Sequence, residues 1–457
     1  MDFGRRNYRF RVYPTPEQAA ALERQGHAAR ALWNLIHGAW QANGFRVGLD
    51  WYTREIKNIR KDEDYGWFAD LPAQAAQSVW KNYFKAWMNC WDPGHPAQAP
   101  TFKKRHTRLG IDIPQARDLK PTRVNGKYIT VNVPLAGKLK VRLHRKVDFT
   151  AVTGARLVRD GLGWHLIFRT RTGPIARPTA HKRAAIGIDR GVVVPLALSD
   201  GTNFEHPDFL TGTEAKSLLR LERQLARQEA RRRATSARTS NRQRRTQASI
   251  SALRNRQARR RKDFLDKTSR KIATDYSLIV LEDLDISNMT TRAKPKPDPE
   301  NPGSWLPNHA AAKTGLNKSI LNEGWGDFHR MVAYKAGEHG GTVITVNARY
   351  TSQTCTTCRI IGNRESQADF RCTNTTCSMF GIAVNADTNA AQEIETRGTE
   401  LASSGMTVAT AGPAPTTVPI PPAEVRAEAH TSAGGQFTMT PNPSSRCTTN
   451  SRCWPTT

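Results

Sequence analysis

The chain has 457 residues, enough for two or three domains. Its 69 Lys and Arg against 40 Asp and Glu leave a formal net charge of +29, which excludes an ordinary near-neutral enzyme of small molecules and points to a polyanionic partner. The first residues carry no apolar signal segment, and no run of about 18 apolar residues occurs, so the sequence reads as a soluble, cytoplasmic protein with nucleic acid rather than a membrane as its partner.

Residues 7–13 alternate like a strand and run into Pro14-Thr15-Pro16, where Thr15 reads as an N-cap and Pro16 as the first helical residue. A helix is expected over 17–42, with Leu22, Ala29, Leu32, Trp33, Ile36 and Trp40 near one stripe. A second is expected over 72–91, where Trp80, Tyr83, Phe84, Trp87 and Trp91 recur at helical spacing. That aromatic stripe reads first as a buried helix face and second as a base-stacking surface. Past Pro93-Gly94-His95-Pro96 the pattern turns to strands separated by Gly-containing turns, a small β-barrel or sheet built around the N-terminal strand. Its Lys103-Lys104-Arg105-His106 cluster suits phosphates, or equally a solvated loop.

Ile186 to Leu198 opens a new domain as a strand, a tight turn and a second strand, with Asp189 ending the first strand. The stretch 215–274 is helical and carries twenty Lys and Arg against four Asp and Glu, about half of the whole charge excess. It reads as a pair of basic helices lying along nucleic acid backbone, with Arg231, Arg232, Arg233, Arg244 and Arg245 as candidate contacts. Tyr276 to Leu281 is a continuous apolar run ending in Glu282-Asp283, which fits a buried central strand. A Pro- and Lys-rich loop, a helix over 325–339 and a strand over 342–346 lead into a cysteine cluster. Asp387 starts a last helix, and beyond about Arg397 the Thr-, Ala-, Pro- and Ser-rich chain is expected to be disordered.

Of seven cysteines, Cys90 stands alone beside Trp91, and Cys447 and Cys453 lie in the tail. Cys355-x2-Cys358 and Cys372-x4-Cys377 are two thiolate pairs with a hairpin-length insert, the donor set of one structural zinc with no open position for water. The four-residue gap in the second pair makes a looser knuckle than the usual two. Three acids, Asp189, Glu282 and Asp387, fall where strands and a helix would end on one side of a sheet. Each alone says little. Together they would suit two Mg2+ ions held about 3.5–4 Å apart, an arrangement that hydrolyses phosphodiesters.

A known pattern joins them. Gly187-Ile188-Asp189-Arg190-Gly191-Val192, Leu281-Glu282-Asp283-Leu284, the cysteine cluster and Asp387-Thr388-Asn389-Ala390-Ala391 stand in the order seen in the TnpB family of transposon-encoded RNA-guided DNA nucleases, to which compact type V CRISPR effectors are similar. Tyr8 to Thr15 and Asn363-Arg364-Glu365-Ser366-Gln367 also resemble that family, and the resemblance runs from about Asn7 to Glu395. It implies that Asp189, Glu282 and Asp387 are the catalytic, Mg2+-holding carboxylates of a RuvC-like site, and it favours Glu282 over Asp283, which spacing alone does not separate. The family often has Asp-Arg-Asp before Asn-Ala-Ala, whereas this chain has Asn385-Ala386-Asp387, so the acid adjoining that motif is kept.

The implied fold is an RNase H-like (RuvC-like) α/β nuclease domain with an inserted zinc ribbon, plus an N-terminal β-barrel (wedge) that carries an inserted helical recognition domain. The implied boundaries are 1–14 and 96–181 for the barrel, 15–95 for the recognition helices, 182–350 and 383–397 for the nuclease, 351–382 for a target-binding ribbon, and 398–457 for the tail. The implied partners are a structured guide RNA and double-stranded DNA bearing a short adjacent motif, met in a prokaryotic cell at the nucleoid. Competing readings are a miniature CRISPR effector with the same chemistry, an RNA-guided binding protein that does not cut, and a strand-joining transposase. No carboxylate is lost, which disfavours the second, and the ribbon and barrel disfavour the third.

Overall fold

The computed structural model describes residues 5–42, 49–95, 97–105, 107–171, 181–301, 303–366 and 368–404. The expectations for His106, Gln367 and the tail with Cys447 and Cys453 lie outside the described residues.

Strand β1 (Arg5–Tyr13) alternates as its sequence requires, burying Phe10 and Val12 and turning Arg9 and Arg11 outward. Helix α1 (Pro16–Ala42) starts at Pro16, with Thr15 and Gln18 exchanging caps between side chains and main-chain N–H groups. All six residues of its expected stripe are buried. Helices α2 (Leu49–Lys61) and α3 (Ala73–Trp91) follow. In α3 the aromatic stripe splits into two rows. Tyr83 and Trp87 join the core and Trp80 packs half-buried against it, while Phe84 and Trp91 are 39% and 53% exposed, so the buried reading fails for Phe84 and Trp91.

Strands β2 (Gly110–Ile113), β3 (Thr122–Arg123), β4 (Tyr128–Val133), β5 (Gly137–Arg142), β6 (Val152–Asp160) and β7 (Gly163–Arg171) join β1 in an antiparallel sheet of order β2-β6-β7-β1-β5-β4-β3. The N-terminal strand is thus the centre of the sheet, and α1 to α3 are an insertion between β1 and β2. Both units share one apolar core, from Phe10, Val131 and Phe168 to Leu32, Phe68 and Tyr83.

The second sheet positions the acids. Strand β8 (Arg183–Asp189) pairs antiparallel with β9 (Leu196–Leu198), which pairs with β10 (Asn203–Phe204). Helices α4 (Gly212–Ala234) and α5 (Asn241–Asp275) form the basic pair and lead into β11 (Tyr276–Asp283). Then come α6 (Ile286–Met289), the short hairpin β12 (Lys296–Pro297) and β13 (Trp305–Leu306), α7 (Ala310–Glu323), α8 (Trp325–Glu338) and β14 (Thr342–Asn347). The order is β10-β9-β8-β11-β14, with β11 parallel to both β8 and β14. One face packs on α5 and α8 through Ile188, Leu281, Phe328 and Val332. Strands β15 (Asn363–Arg364), β16 (Asp369–Arg371) and β17 (Ala383–Asn385) form a small sheet beside the cysteines, and α9 (Ala386–Ser403) covers the other face of the large sheet with Val280, Ile344, Val346 and Ile394.

Helix α9 corrects one expectation. Order was to end near Arg397, but the helix continues to Ser403. Gly398 is the reason: it lies flat against Val280, where an added Cβ would sit 2.3 Å from the Val280 side chain, so the last turns are bound to the sheet.

Candidate active site and metal centre

Register decides which acids meet. Leu281 stands beside Ile188 in the parallel β8–β11 pair, which puts Glu282 beside Asp189. Neighbours in a parallel pair point to the same face, so both carboxylates turn away from the Ile188–Leu281 core and toward α9. Asp283 points the other way and is exposed, whereas Glu282 is 7% exposed.

Helix α9 delivers the third acid. Asn385 caps it, accepting from the N–H groups of Asp387 and Thr388 at 3.0 and 2.9 Å, so Asp387 is its second residue. The helix lies unusually close to β8. A Cβ on Gly187 would fall 2.0 Å from the Ala391 carbonyl oxygen, and Ala386, Ala390 and Ala391 are almost fully buried. Gly187 and the Asn-Ala-Ala run are therefore two sides of one contact that sets the distance between Asp189 and Asp387. Asn389 donates to the Thr354 carbonyl at 2.8 Å and pins the same helix to the root of the ribbon.

The electrostatics reflect this crowding. Burial, then Glu282, then Asp387 push the Asp189 carboxyl up to about 7. Burial also raises Glu282 and Asp387, opposed by the Thr351 hydroxyl on Glu282 and by Arg364 on Asp387. Thr351 Oγ1 donates to Glu282 Oε1 at 2.5 Å, and Arg364 Nη2 lies 3.6 Å from Asp387 Oδ1. Arg190, 5% exposed, donates to the Glu282 main-chain oxygen and so ties the end of β8 to the end of β11. A corner where burial raises all three carboxyls, and where Glu282 and Asp387 further raise Asp189, fits divalent cations of the Mg2+ kind. Sequence reasoning assigned no role to Thr351, Arg190 or Arg364. Arg190 and Arg364 left a signal, the first directly after a buried strand and the second within the family-like run Asn363-Arg364-Glu365-Ser366-Gln367, whereas Thr351 left none.

The four expected cysteines converge. Cys355 and Cys377 Sγ are 4.0 Å apart, Cys358 and Cys372 are 3.6 Å apart, and all four sulfurs lie within 4.8 Å of one another. Tetrahedral Zn–S bonds of about 2.3 Å put sulfurs about 3.8 Å apart, so the cluster fits one zinc ion. The looser second knuckle still closes, with Met379 N–H donating to Cys377 Sγ at 3.4 Å. Arg359 in the first knuckle takes φ +63°, and its guanidinium pairs with Glu393 and Glu400 of α9 at 2.9 and 3.1 Å. The cysteine cluster and α9 are thereby bolted together.

The candidate phosphate contacts divide. Lys104 and Arg105 are exposed, but the Lys103 ammonium sits 3.5 Å from the Trp33 ring centroid, and burial lowers its pKa to about 8. Lys103 thus packs against α1 as a cation–π partner. Arg231, Arg233, Arg244 and Arg245 are exposed and Arg232 half-buried, along the α4–α5 pair. Residues inward of them, Gln243, Thr246 and Ile250, are buried. Arg259 of α5 instead pairs at 2.8 Å with the buried Asp160 at the end of β6.

With this geometry established, comparison with known proteins is direct. A family model described as "Probable transposase" matches residues 167–293, the TNB domain of Cas12f1-like proteins matches 325–394, and a helix-turn-helix model matches 1–40. In this chain the last region is a strand and one 27-residue helix rather than two short helices. InsQ of Escherichia coli strain K12, provisionally named an RNA-guided DNA endonuclease, is 30% identical over 418 residues, covering 89% of this chain and 95% of InsQ. A Streptomyces pristinaespiralis protein with the same provisional function in its name is 24% identical over 88% of this chain and 91% of its own length. A Cas12f1–sgRNA–target DNA complex aligns with a TM-score of 0.47 at 14% identity, over 83% of this chain and 82% of that one. Near-complete coverage of InsQ together with the transposase model means that the chain belongs to the TnpB family of transposon-encoded RNA-guided nucleases.

Proposed function

We propose that this protein is an RNA-guided DNA endonuclease that hydrolyses phosphodiester bonds at Asp189, Glu282 and Asp387. The observation that carries the reading is the convergence of these three carboxylates, Glu282 buried and Asp189 and Asp387 half-buried, from β8, β11 and the start of α9 onto one face of the sheet. The strand order, three antiparallel strands followed by two parallel ones, supports the RNase H-like assignment. Two Mg2+ ions held there supply an activated water and a stabilised leaving oxygen. The chain's own part is to bind and orient. Arg190 fixes the spacing of β8 and β11, the Gly187–Ala391 contact fixes α9, and Arg364 offsets charge at Asp387.

The β1–β7 sheet with its inserted helices is the guide- and motif-reading half, and residues 351–382 form the zinc ribbon over the cutting half. Exposed arginines of α4 and α5 hold RNA or heteroduplex backbone, with Lys104 and Arg105 as further phosphate contacts. Specificity then lies in base pairing, which a basic channel tolerates without reading sequence. Among the described residues no helix is long and apolar enough to cross a membrane.

The test is plasmid cleavage by the protein with its copurifying RNA. Asp189→Ala, Glu282→Ala and Asp387→Ala each reduce cutting to background, while target binding stays within a few-fold of wild type. Full cutting by any one of them removes that residue from the site.

A further inference from the structure

Thr351 opens the short 3-10 turn Thr351–Gln353 that leads from β14 into the ribbon, four residues before Cys355. It is 3% exposed, and its hydroxyl lies 2.5 Å from Glu282 Oε1 and 3.1 Å from the Ala348 carbonyl oxygen. A hydroxyl has one proton to donate, and the shorter, charge-assisted partner takes it. With Oε1 held, the Glu282 carboxylate no longer turns freely about its last bond. Arg190 hydrogen-bonds the main chain beneath it and, with Arg397, acts on the carboxylate through charge, whereas Thr351 supplies a directed hydrogen bond to it. The turn is fixed in its own right: Thr354 N–H donates to the Tyr350 carbonyl at 3.0 Å, and the Thr354 carbonyl accepts from Asn389.

We propose that Thr351 is a positioning residue that fixes the Glu282 carboxylate in the orientation that binds a divalent cation, so that the root of the zinc ribbon is mechanically part of the nuclease site. The inference rests on the reading of Asp189, Glu282 and Asp387 as cation-holding groups. Outer partners that orient a ligating group commonly change metal affinity by about 10–100-fold when removed. A structural role alone would lower stability without changing the metal affinity of the folded protein.

The experiment uses the full chain with its zinc retained and Mg2+ dialysed away, titrated with Mn2+ and read by electron paramagnetic resonance. Thr351→Val, which keeps the shape and removes the donor, weakens Mn2+ binding about tenfold, and Thr351→Ser restores it to within about twofold of wild type. In the RNA-loaded complex the Mg2+ concentration for half-maximal cleavage rises by the same factor. Glu282→Ala, measured alongside, loses the Mn2+ site. If Thr351→Val binds Mn2+ like wild type while Glu282→Ala does not, the positioning role is overturned. If Glu282→Ala also binds like wild type, the carboxylate reading falls and this proposal falls with it. Should Thr351→Val melt below the assay temperature, Thr351→Ala against Thr351→Ser makes the same comparison.

Discussion

Asp189 is held near a pKa of about 7, against 3.8 for the free side chain, chiefly by burial and then by Glu282 and Asp387. A carboxyl whose folded pKa is raised stabilises the native state below about pH 4 and loses that contribution as the pH climbs toward 7. The whole shift corresponds to about 4 kcal/mol, and sharing of protons among three carboxylates reduces it. Metal-free Asp189→Asn should therefore gain on wild type between pH 4 and pH 8, by about 1–3 kcal/mol in urea unfolding, and saturating Mg2+ should reverse the difference. Parallel pH profiles for the two proteins would show that Asp189 is not under this strain. Asp189 and Asp387 are singled out in the sequence through the family pattern, and each adjoins a motif whose small residues have a packing cause, Gly187 in one and Ala390-Ala391 in the other. The preference for Glu282 over Asp283 comes from the family pattern, and the β8–β11 register puts Glu282, not Asp283, on the face of Asp189. Thr351 reaches Glu282 from 69 residues away, and no local pattern announces such a contact.

At the scale of elements, α9 is the part on which everything else is set, since it carries Asp387, meets β8 at Gly187, meets β11 at Gly398 and is bolted to the ribbon by Arg359. Gly187→Ala would force a methyl into the Ala391 carbonyl, and only a shift of the helix relieves it. The expected loss is about 1–3 kcal/mol or more, with cleavage falling further than stability because Asp387 moves with the helix. Gly315→Ala is the contrasting change. It lies on the exposed side of α7 with nothing within 4 Å of an added Cβ, and it should stabilise by about 0.5–1 kcal/mol. Chemical denaturation of both variants checks the pair, and a neutral Gly187→Ala would deny the close approach. The ribbon makes a separate prediction: about one zinc per chain, with Cys355→Ser or Cys372→Ser losing it and raising the Mg2+ requirement of cleavage. Zinc-free protein that cuts normally would contradict it. Long amphipathic elements and the apolar strand β11 were readable from periodicity. Helix α7 was not, because its Ala- and Lys-rich sequence around Gly315 has no apolar stripe, and α9 past Arg397 was not, because Gly398, Thr399 and Ala402 share the composition of the tail while their contact with Val280 is tertiary.

Over the whole molecule the charge of +29 is distributed unevenly, and two groups stand out among the arginines of α4 and α5. Arg254, Arg256, Arg259 and Arg260 are occupied by Glu222, Glu214 and Asp160, and they hold the helices to each other and to the end of β6. Arg231, Arg232, Arg233, Arg244 and Arg245 cluster around the turn between the two helices, and Arg231, Arg233, Arg244 and Arg245 are exposed. The second group, exposed but for the half-buried Arg232, lies where it can neutralise phosphates, and phosphate neutralisation has its own signature, a linear fall of log affinity with log salt. Changing these five together to Gln should weaken guide-RNA binding and flatten the salt slope by about one for each phosphate no longer neutralised, leaving the melting temperature nearly unchanged. The same variant should cut poorly at physiological salt and recover at low salt with excess RNA, since the carboxylates are untouched. Redirection by a new guide segment should survive in it, because base pairing rather than the arginines selects the site. The measurement is RNA binding across a salt series, followed by cleavage of two plasmids, one matching the original guide and one a replacement. A variant whose salt slope equals that of wild type would show that these helices do not carry the RNA. Cleavage of the original plasmid under the replacement guide would show that the chain reads DNA sequence itself.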